Sequence, residues 1–155
     1  MRLPERVRLA SMADIQVLGD LFDQYRVFYR QPSDRSGSEA FLRERLRYQQ
    51  SWLLIAEVDG RGVGLAQLYP MFSSVSAHPL MVLNDLYVIE AQRNTGIGKD
   101  LIDAAQTLAR ALGYRTMTIA TETSNTRAKS LYPKMGFSED NQFIHYTMPL
   151  TDDQV

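Results

Sequence analysis

VLNDLYVIEAQRNTGIGKDL, residues 82–101, holds three kinds of local structure in succession. Val82–Ile89 is short and dense in β-branched and aromatic side chains, the composition of a buried strand. Glu90–Gly98 is a polar turn that carries Gly96 and Gly98. From Lys99 onward, Leu101, Ile102, Ala105, Leu108, Ala109 and Leu112 recur with a helical period, which predicts an amphipathic helix. A strand, a glycine-bearing loop and a helix start together make an anion site. The first-turn amides have no intrahelical acceptor, and glycine lets a ligand come close to the backbone.

Downstream of this stretch, Gly113 stops the helix, and Tyr114–Thr121 is a strand with Met117 and Ile119 inside. With a helix between them, this strand is expected to run parallel to Val82–Ile89. Ser124 or Asn125 caps a short helix, Thr126–Lys134, which Gly136 ends, and Phe143–Leu150 alternates enough to predict a last strand. Upstream, Trp52–Val58, the turn Asp59-Gly60 and Val63–Tyr69 form a hairpin, and Pro70–Pro79 reads as a polar loop. Val7–Ala10 is a first strand. Ser11 with Asp14 is a capping box before a helix that carries Ile15, Leu18, Phe22, Tyr25 and Tyr29 on one face, with Leu21 and Phe28 beside it. Gln31–Asp34 breaks that helix, Ser36-Gly37-Ser38 reads as loop, and Glu39–Gln49 as a second helix with Phe41, Leu42 and Leu46 inward.

These elements predict an α/β domain spanning 1–155, with a mixed central sheet: antiparallel N-terminal strands, two parallel central strands and flanking helices. Open sheets of this kind bind ligands at the carboxyl ends of their parallel strands, where Gln92–Gly98 and Thr121–Asn125 both fall.

At 155 residues the chain is long enough for one well-cored domain and short for two. With 45% hydrophobic and 23% charged residues and a formal net charge of −1, it has no overall field to draw it to nucleic acid or an anionic membrane. The absence of cysteine excludes a disulfide framework and a catalytic thiol, and two isolated histidines argue against a zinc site. With no signal segment or long apolar run, the expected location is the cytoplasm.

The loop can be compared with three anion-binding patterns. A Walker P-loop on Gly98-Lys99 requires an upstream glycine where the chain has Gln92-Arg93, and Ser or Thr where it has Asp100. A dinucleotide fingerprint begun at Gly96 requires a third glycine at Leu101. Arg93-Asn94-Thr95-Gly96-Ile97-Gly98 instead resembles the R-x-x-G-x-G pyrophosphate loop of the GNAT N-acetyltransferases. One helix and one strand later, Asn125-Thr126-Arg127-Ala128-Lys129-Ser130-Leu131-Tyr132-Pro133-Lys134-Met135-Gly136-Phe137 resembles that family's N-x-x-A-x-x-L-Y-x-x-x-G-F signature. The two motifs, in order and at this spacing, cover the family's layout over nearly the whole chain. Pro133 departs from the pattern, because it lacks an amide and can bend the turn just after Tyr132. Tyr25–Tyr29, Asn84–Val88 and Ser124-Asn125 with Tyr132 are similar to a small subgroup that includes yeast enzymes acetylating histone tails, polyamines or D-amino acids.

The resemblance implies transfer of acetyl from acetyl-CoA to a primary amine, releasing coenzyme A, by direct attack in a ternary complex. It assigns the amides of Asn94, Thr95, Gly96, Ile97 and Gly98 to the pyrophosphate, with Arg93 beside it. Lys99 and Lys134 are within reach of phosphate. The strand edge Leu86, Tyr87, Val88 pairs with the pantetheine amides, and Asn125 holds the arm through its side chain. A backbone amide, Tyr87 or Val88, faces the developing oxyanion, and Tyr132 serves the leaving thiolate. A phenol near pKa 10 donating fully to a thiolate near 8.5 is uphill by about 2 kcal/mol, so hydrogen bonding to the sulfur is the safer role.

The amine must lose a proton before it attacks, and with a pKa of about 10.4 only roughly one molecule in 2,500 is neutral at pH 7. A general base recovers part of that deficit. Asp85 alternates with Leu83 and Tyr87 and can face the cleft as that base, or be a strand-end carboxylate paired with an arginine. Glu122 is the other carboxylate. Tyr25, Tyr29, Tyr69, Asn84, Asp85 and Glu122 make up the candidate acceptor pocket. The absence of an acidic cluster in Met71–Pro79 favours a small-molecule amine over a protein lysine or N-terminus. A non-catalytic acyl-CoA-binding regulator would keep the loop without needing Tyr132. A homodimer is expected, with the segment after Phe143 contributing.

Overall fold

The computed structural model describes residues 1–150; residues 151–155 of the expected domain lie outside the described part. In chain order the elements are β1 (Val7–Leu9), α1 (Ile15–Phe28), α2 (Arg35–Arg47), β2 (Trp52–Val58), β3 (Arg61–Ser73), β4 (His78–Val88), α3 (Ile97–Ala111), β5 (Thr116–Ile119) and α4 (Thr126–Lys134). They build one sheet in the order β1-β2-β3-β4-β5. Neighbours are antiparallel through β4, and β5 runs parallel to β4, as the intervening helix predicts.

The sheet is covered on both faces, which is why its inner strands read as continuous apolar runs rather than alternating ones. Leu54, Ala56, Ala66, Leu68, Met81 and Leu83 pack with Ile97, Leu101, Ile102, Ala105 and Leu108 of α3. Leu53, Ile55 and Leu65 point the other way, to Ile15, Leu18, Leu21 and Phe22 of α1 and Leu42 of α2. Each fully buried leucine among these contributes roughly 1.5–3 kcal/mol. Met117 and Ile119 of β5 lie against the α3 side, as expected.

Several boundaries differ from expectation for identifiable reasons. The Ser11–Asp14 capping box forms, with Ser11 N–H donating to Asp14 Oδ2 at 2.8 Å, but it opens a 3-10 turn, Met12–Asp14, before α1. Ser36-Gly37-Ser38 belongs to α2 rather than a loop. The Asp34 carboxylate accepts from Gly37 N–H at 2.9 Å, and Asp23 accepts from Ser33 Oγ at 2.6 Å and Asp34 N–H at 2.7 Å. These bonds satisfy the helix start despite its weak composition.

Most of the expected polar loop Pro70–Pro79 is strand. The β3–β4 ladder runs out to Phe72↔Pro79 and Ser73↔His78, leaving residues 74–77 as the turn. Pro70 sits where β3 has passed the end of β2, so one side of its backbone has no strand to serve, a place where proline is tolerated. The expected last strand, Phe143–Leu150, does not form: a strand needs a partner ladder, and this alternating segment has none among the described residues. Its apolar side chains Phe143, Ile144, Tyr146, Met148 and Leu150 are largely exposed.

Close approach of α3 to the sheet depends on Gly64. A Cβ there would lie 2.8 Å from the Tyr87 carbonyl oxygen and 3.1 Å from Leu101 Cδ1. Gly64→Ala is therefore expected to cost about 1–3 kcal/mol of unfolding free energy through overpacking. Urea titration reads the change, and an unaltered midpoint would mean that β4 and α3 give way without strain.

Candidate functional site

The site begins with a register shift. Gln67 pairs with Asp85, but Leu68 pairs with Leu83, so Asn84 is an extra residue in β4. The bulge changes the facing of every residue after it. Leu83 packs on the α3 side, while Tyr87 packs toward α1. Asp85 lies on that α1 side too, bonded to Gln67 and with the Tyr25 hydroxyl against it. The expectation that Leu83, Asp85 and Tyr87 share one face is thus corrected, because a simple period-2 count does not include a bulge.

The pairing of β5 with β4 ends at Leu83↔Ile119, so β4 beyond Asn84 has a free edge. Ile89 N–H bonds to the Val63 carbonyl at 2.9 Å, so Ile89, Tyr87 and Asp85 direct their backbone groups toward β3. Leu86 and Val88, one residue out of phase, direct theirs into the opening. Of the two candidate oxyanion amides, Val88 faces the cleft and Tyr87 does not; Leu86 joins Val88. Arg93 Nε donates to the Val88 carbonyl at 3.1 Å.

The glycine loop turns through Asn94 and Gly96, both with positive φ, at 63° and 87°. At Gly96 this conformation is cheap only for glycine. α3 then starts at Ile97, two residues earlier than the periodicity suggests, and no side chain caps it. Its first-turn amides have no intrahelical acceptor. Gly98 also lines the cleft, with the Leu131 methyl 3.8 Å from where a Cβ would be. Lys99 lines it as well, with Nζ 3.2 Å from Asp103.

The opposite wall is α4. Asn125 caps it, its Oδ1 accepting from Ala128 N–H at 3.1 Å, which leaves the side-chain Nδ2 as the available donor. Pro133 lies inside the helix without ending it before Lys134. Tyr132 packs on Phe137 at 5.9 Å between ring centroids. Burial pushes its hydroxyl up to about 12, with Tyr29 nearby reinforcing the shift. The cleft between α4, the β4 edge and the loop has a volume of about 630 Å³.

At one end the cleft becomes aromatic. Tyr25 and Tyr29 meet at 5.1 Å, Phe28 and Tyr29 at 5.2 Å, and Tyr25 and Tyr87 at 6.3 Å. The Arg93 guanidinium sits 5.5 Å from the Phe28 ring and 5.8 Å from Tyr87, on this side rather than turned toward the helix start. Beneath lies Asp85, 5% exposed. It accepts from Gln67 Nε2 at 2.7 Å and Asn84 Nδ2 at 3.1 Å, and Gln67 in turn accepts from Ser51 Oγ at 2.8 Å. Burial holds the Asp85 carboxyl above the ordinary carboxylate range, although Gln67, Tyr25 and Asn84 oppose the shift. Burial, then the Asp85 charge, raises the Tyr25 hydroxyl and pushes Tyr69 up to about 12. Glu122 is ion-paired with Arg30, which follows α1 and reaches across to the loop before α4.

The structure therefore brings together Leu86, Val88, Asn94, Gly96, Gly98, Asn125, Tyr132, Tyr25, Tyr29 and Asp85. Among the described residues Asp85 is partnered by Gln67 and Asn84 and by no arginine, contrary to the alternative reading of it. Sequence reasoning missed Gln67, Ser51, Phe28 and Arg30; a glutamine inside the apolar run Val63–Leu68 was the one visible signal.

A family model described as the Acetyltransferase (GNAT) family matches residues 18–137. An uncharacterized N-acetyltransferase of Bacillus subtilis is 45% identical over 142 residues, covering 92% of this chain and 95% of that protein. The crystal structure of a probable acetyltransferase superimposes with a TM-score of 0.88 at 36% identity, covering 96% of this chain and 99% of the other. A D-amino-acid N-acetyltransferase of Saccharomyces cerevisiae is 32% identical over 81 residues, 52% of this chain and 50% of that protein.

The raised Asp85 makes a signed pH prediction. A native carboxyl that binds its proton more tightly than the unfolded chain contributes stability below the ordinary value of about 3.9, and this is lost as pH rises through the folded value. Asp85→Asn removes that loss. Its melting temperature relative to the unaltered protein should thus be more favourable at pH 7 than at pH 4; the opposite trend would mean that the buried charge is well stabilised.

Proposed function

This chain belongs to the acetyltransferase (GNAT) family, and on that premise we propose that it carries acetyl from acetyl-CoA to the primary amine of a small molecule. The observation that supports this best is the convergence on one cleft of a free strand edge, an uncapped helix start and a tyrosine hydroxyl. The donor set fits the group: outward amides suit a peptide-like arm, and the first turn of α3 suits a diphosphate. Asn94–Gly98 would hold the diphosphate, the outward edge at Leu86 the pantetheine arm, and the Asn125 Nδ2 its remaining carbonyl. Acetyl-CoA, when bound, supplies an activated thioester.

The chain's own residues then have three tasks. Asp85 takes the amine proton, directly or through the Tyr25 hydroxyl that lies against it, and its elevated affinity for protons suits a base better than an ordinary carboxylate does. Val88 N–H faces negative charge developing on the carbonyl oxygen, and the outward groups of Leu86 are left for the arm. Tyr132 donates a hydrogen bond to the departing sulfur. Its raised pKa disfavours full ionisation, which agrees with a donor that keeps its proton until late.

A small acceptor is supported by the aromatic end of the cleft, where Phe28 and Tyr29 form a compact wall backed by Tyr25, and Glu122 is already neutralised by Arg30. Relatives that act on D-amino acids are consistent with such a pocket. The largely exposed apolar side chains of Phe143, Ile144 and Tyr146 support the homodimer.

Release of free CoA thiol, screened against amino acids, polyamines, aminoglycosides and lysine peptides, tests the proposal; the chain has no cysteine to contribute background. A small amine is expected to give turnover and the peptides none. Tyr132→Phe should then reduce kcat at least about tenfold while CoA affinity by calorimetry stays nearly unchanged. Unchanged kcat would remove Tyr132 from the chemistry, and turnover on peptides alone would overturn the small-molecule reading.

A further inference from the structure

Behind the glycine loop stands a cation that the proposed chemistry does not use. The Arg6 carbonyl accepts from Glu57 N–H at 2.8 Å, which fixes its stem to the end of β2. Its guanidinium donates through Nε to Asp100 Oδ2 at 2.8 Å and completes the ion pair through Nη2 at 2.7 Å. Nη1 donates to the Thr95 carbonyl at 3.2 Å. A Cβ placed on Gly96 would lie 3.3 Å from Nη2, so the guanidinium sits directly under the turn. Gly96 and Gly98 line the cleft, whereas Arg6, Thr95 and Asp100 do not. The contact is therefore made on the back of the loop.

Asp100 explains why a cation is useful at this point. In the first turn of α3 its charge complements the positive end of the helix. The same charge opposes any anion bound across the turn, and its side chain is only 20% exposed, so solvent screens it incompletely. The Thr95 carbonyl, in a loop of positive-φ residues, would also repel phosphate if it turned toward the cleft.

We infer that Arg6 is a positioning residue of the diphosphate site, cancelling Asp100 and holding the Thr95 carbonyl on the back of the loop. The front of the loop then presents amides alone. The site thus has a third part, supplied from 94 residues upstream of Asp100, besides the loop and the helix start. Arg6 acts through Asp100 and Thr95 and does not touch the ligand. This inference rests on the acetyl-CoA reading.

Calorimetric titration with CoA and with pantetheine, which has the same arm and thiol but no phosphate, tests it. Arg6→Ala should weaken CoA binding about tenfold and leave pantetheine binding within about twofold. Asp100→Asn should bind CoA at least as tightly as the unaltered protein, and Arg6→Ala combined with Asp100→Asn should recover to within about threefold. The single Asp100→Asn variant keeps the test decisive if Arg6→Ala folds poorly. Equal loss of both ligands in Arg6→Ala, unchanged CoA affinity in it, or CoA binding impaired by Asp100→Asn would each overturn the inference while leaving the acetyl-CoA reading intact. Failure of the unaltered protein to bind CoA would overturn that reading, and the inference with it.

Discussion

Before Asn84, β4 is hydrogen-bonded on both sides, to β3 and to β5; after it, only β3 remains, and the backbone of Leu86 and Val88 faces open space. An unpaired strand edge is normally a liability, because it leaves donors and acceptors without partners. Here the inserted residue coincides with the end of the β4–β5 ladder, at the point where the glycine loop and α4 can enclose the edge. The direction of the candidate amides and the placement of Asp85 on the α1 side depend on this bulge. Without it, Asp85 would point into the apolar layer under α3.

The second constraint is the cost of Asp85 itself. A carboxylate that is nearly inaccessible loses most of its hydration, and only partners with matching geometry reduce the penalty. Gln67 and Asn84 supply two donors, Tyr25 lies against it, and Ser51 fixes the glutamine. These partners come from four elements or their junctions, so the site is held by the same packing that holds α1 on the sheet. Stability and the proposed chemistry draw on one set of contacts there. The residual elevation of the Asp85 pKa shows that the partners compensate the burial only in part.

The parts proposed to hold the anion are built differently, from backbone rather than from buried side chains. Asn94 and Gly96 set the turn through their dihedral angles, and α3 begins without a capping side chain. Arg6 completes this arrangement from outside the motif. Arg93, the motif's own arginine, is instead held by the Val88 carbonyl and by two aromatic rings at the aromatic end of the cleft.

Local sequence determined a great deal here, because the signals involved act over a few residues. The period of Leu101, Ile102, Ala105 and Leu108 gives α3; Asp59-Gly60 gives the hairpin; and the glycines with the Asn125–Phe137 signature mark the two walls of the cleft. It misjudged Pro70–Pro79 and Phe143–Leu150, where composition competes with the presence or absence of a pairing partner. Helix α2 was hidden at its start because Asp23, which helps to organise it, lies in another helix. Only the tertiary structure decided which face Asp85 takes, that Glu122 is occupied by Arg30, and that Arg6 supports the loop. Those facts depend on ladder register and on contacts between residues tens of positions apart, and neither leaves a period or a motif in the chain.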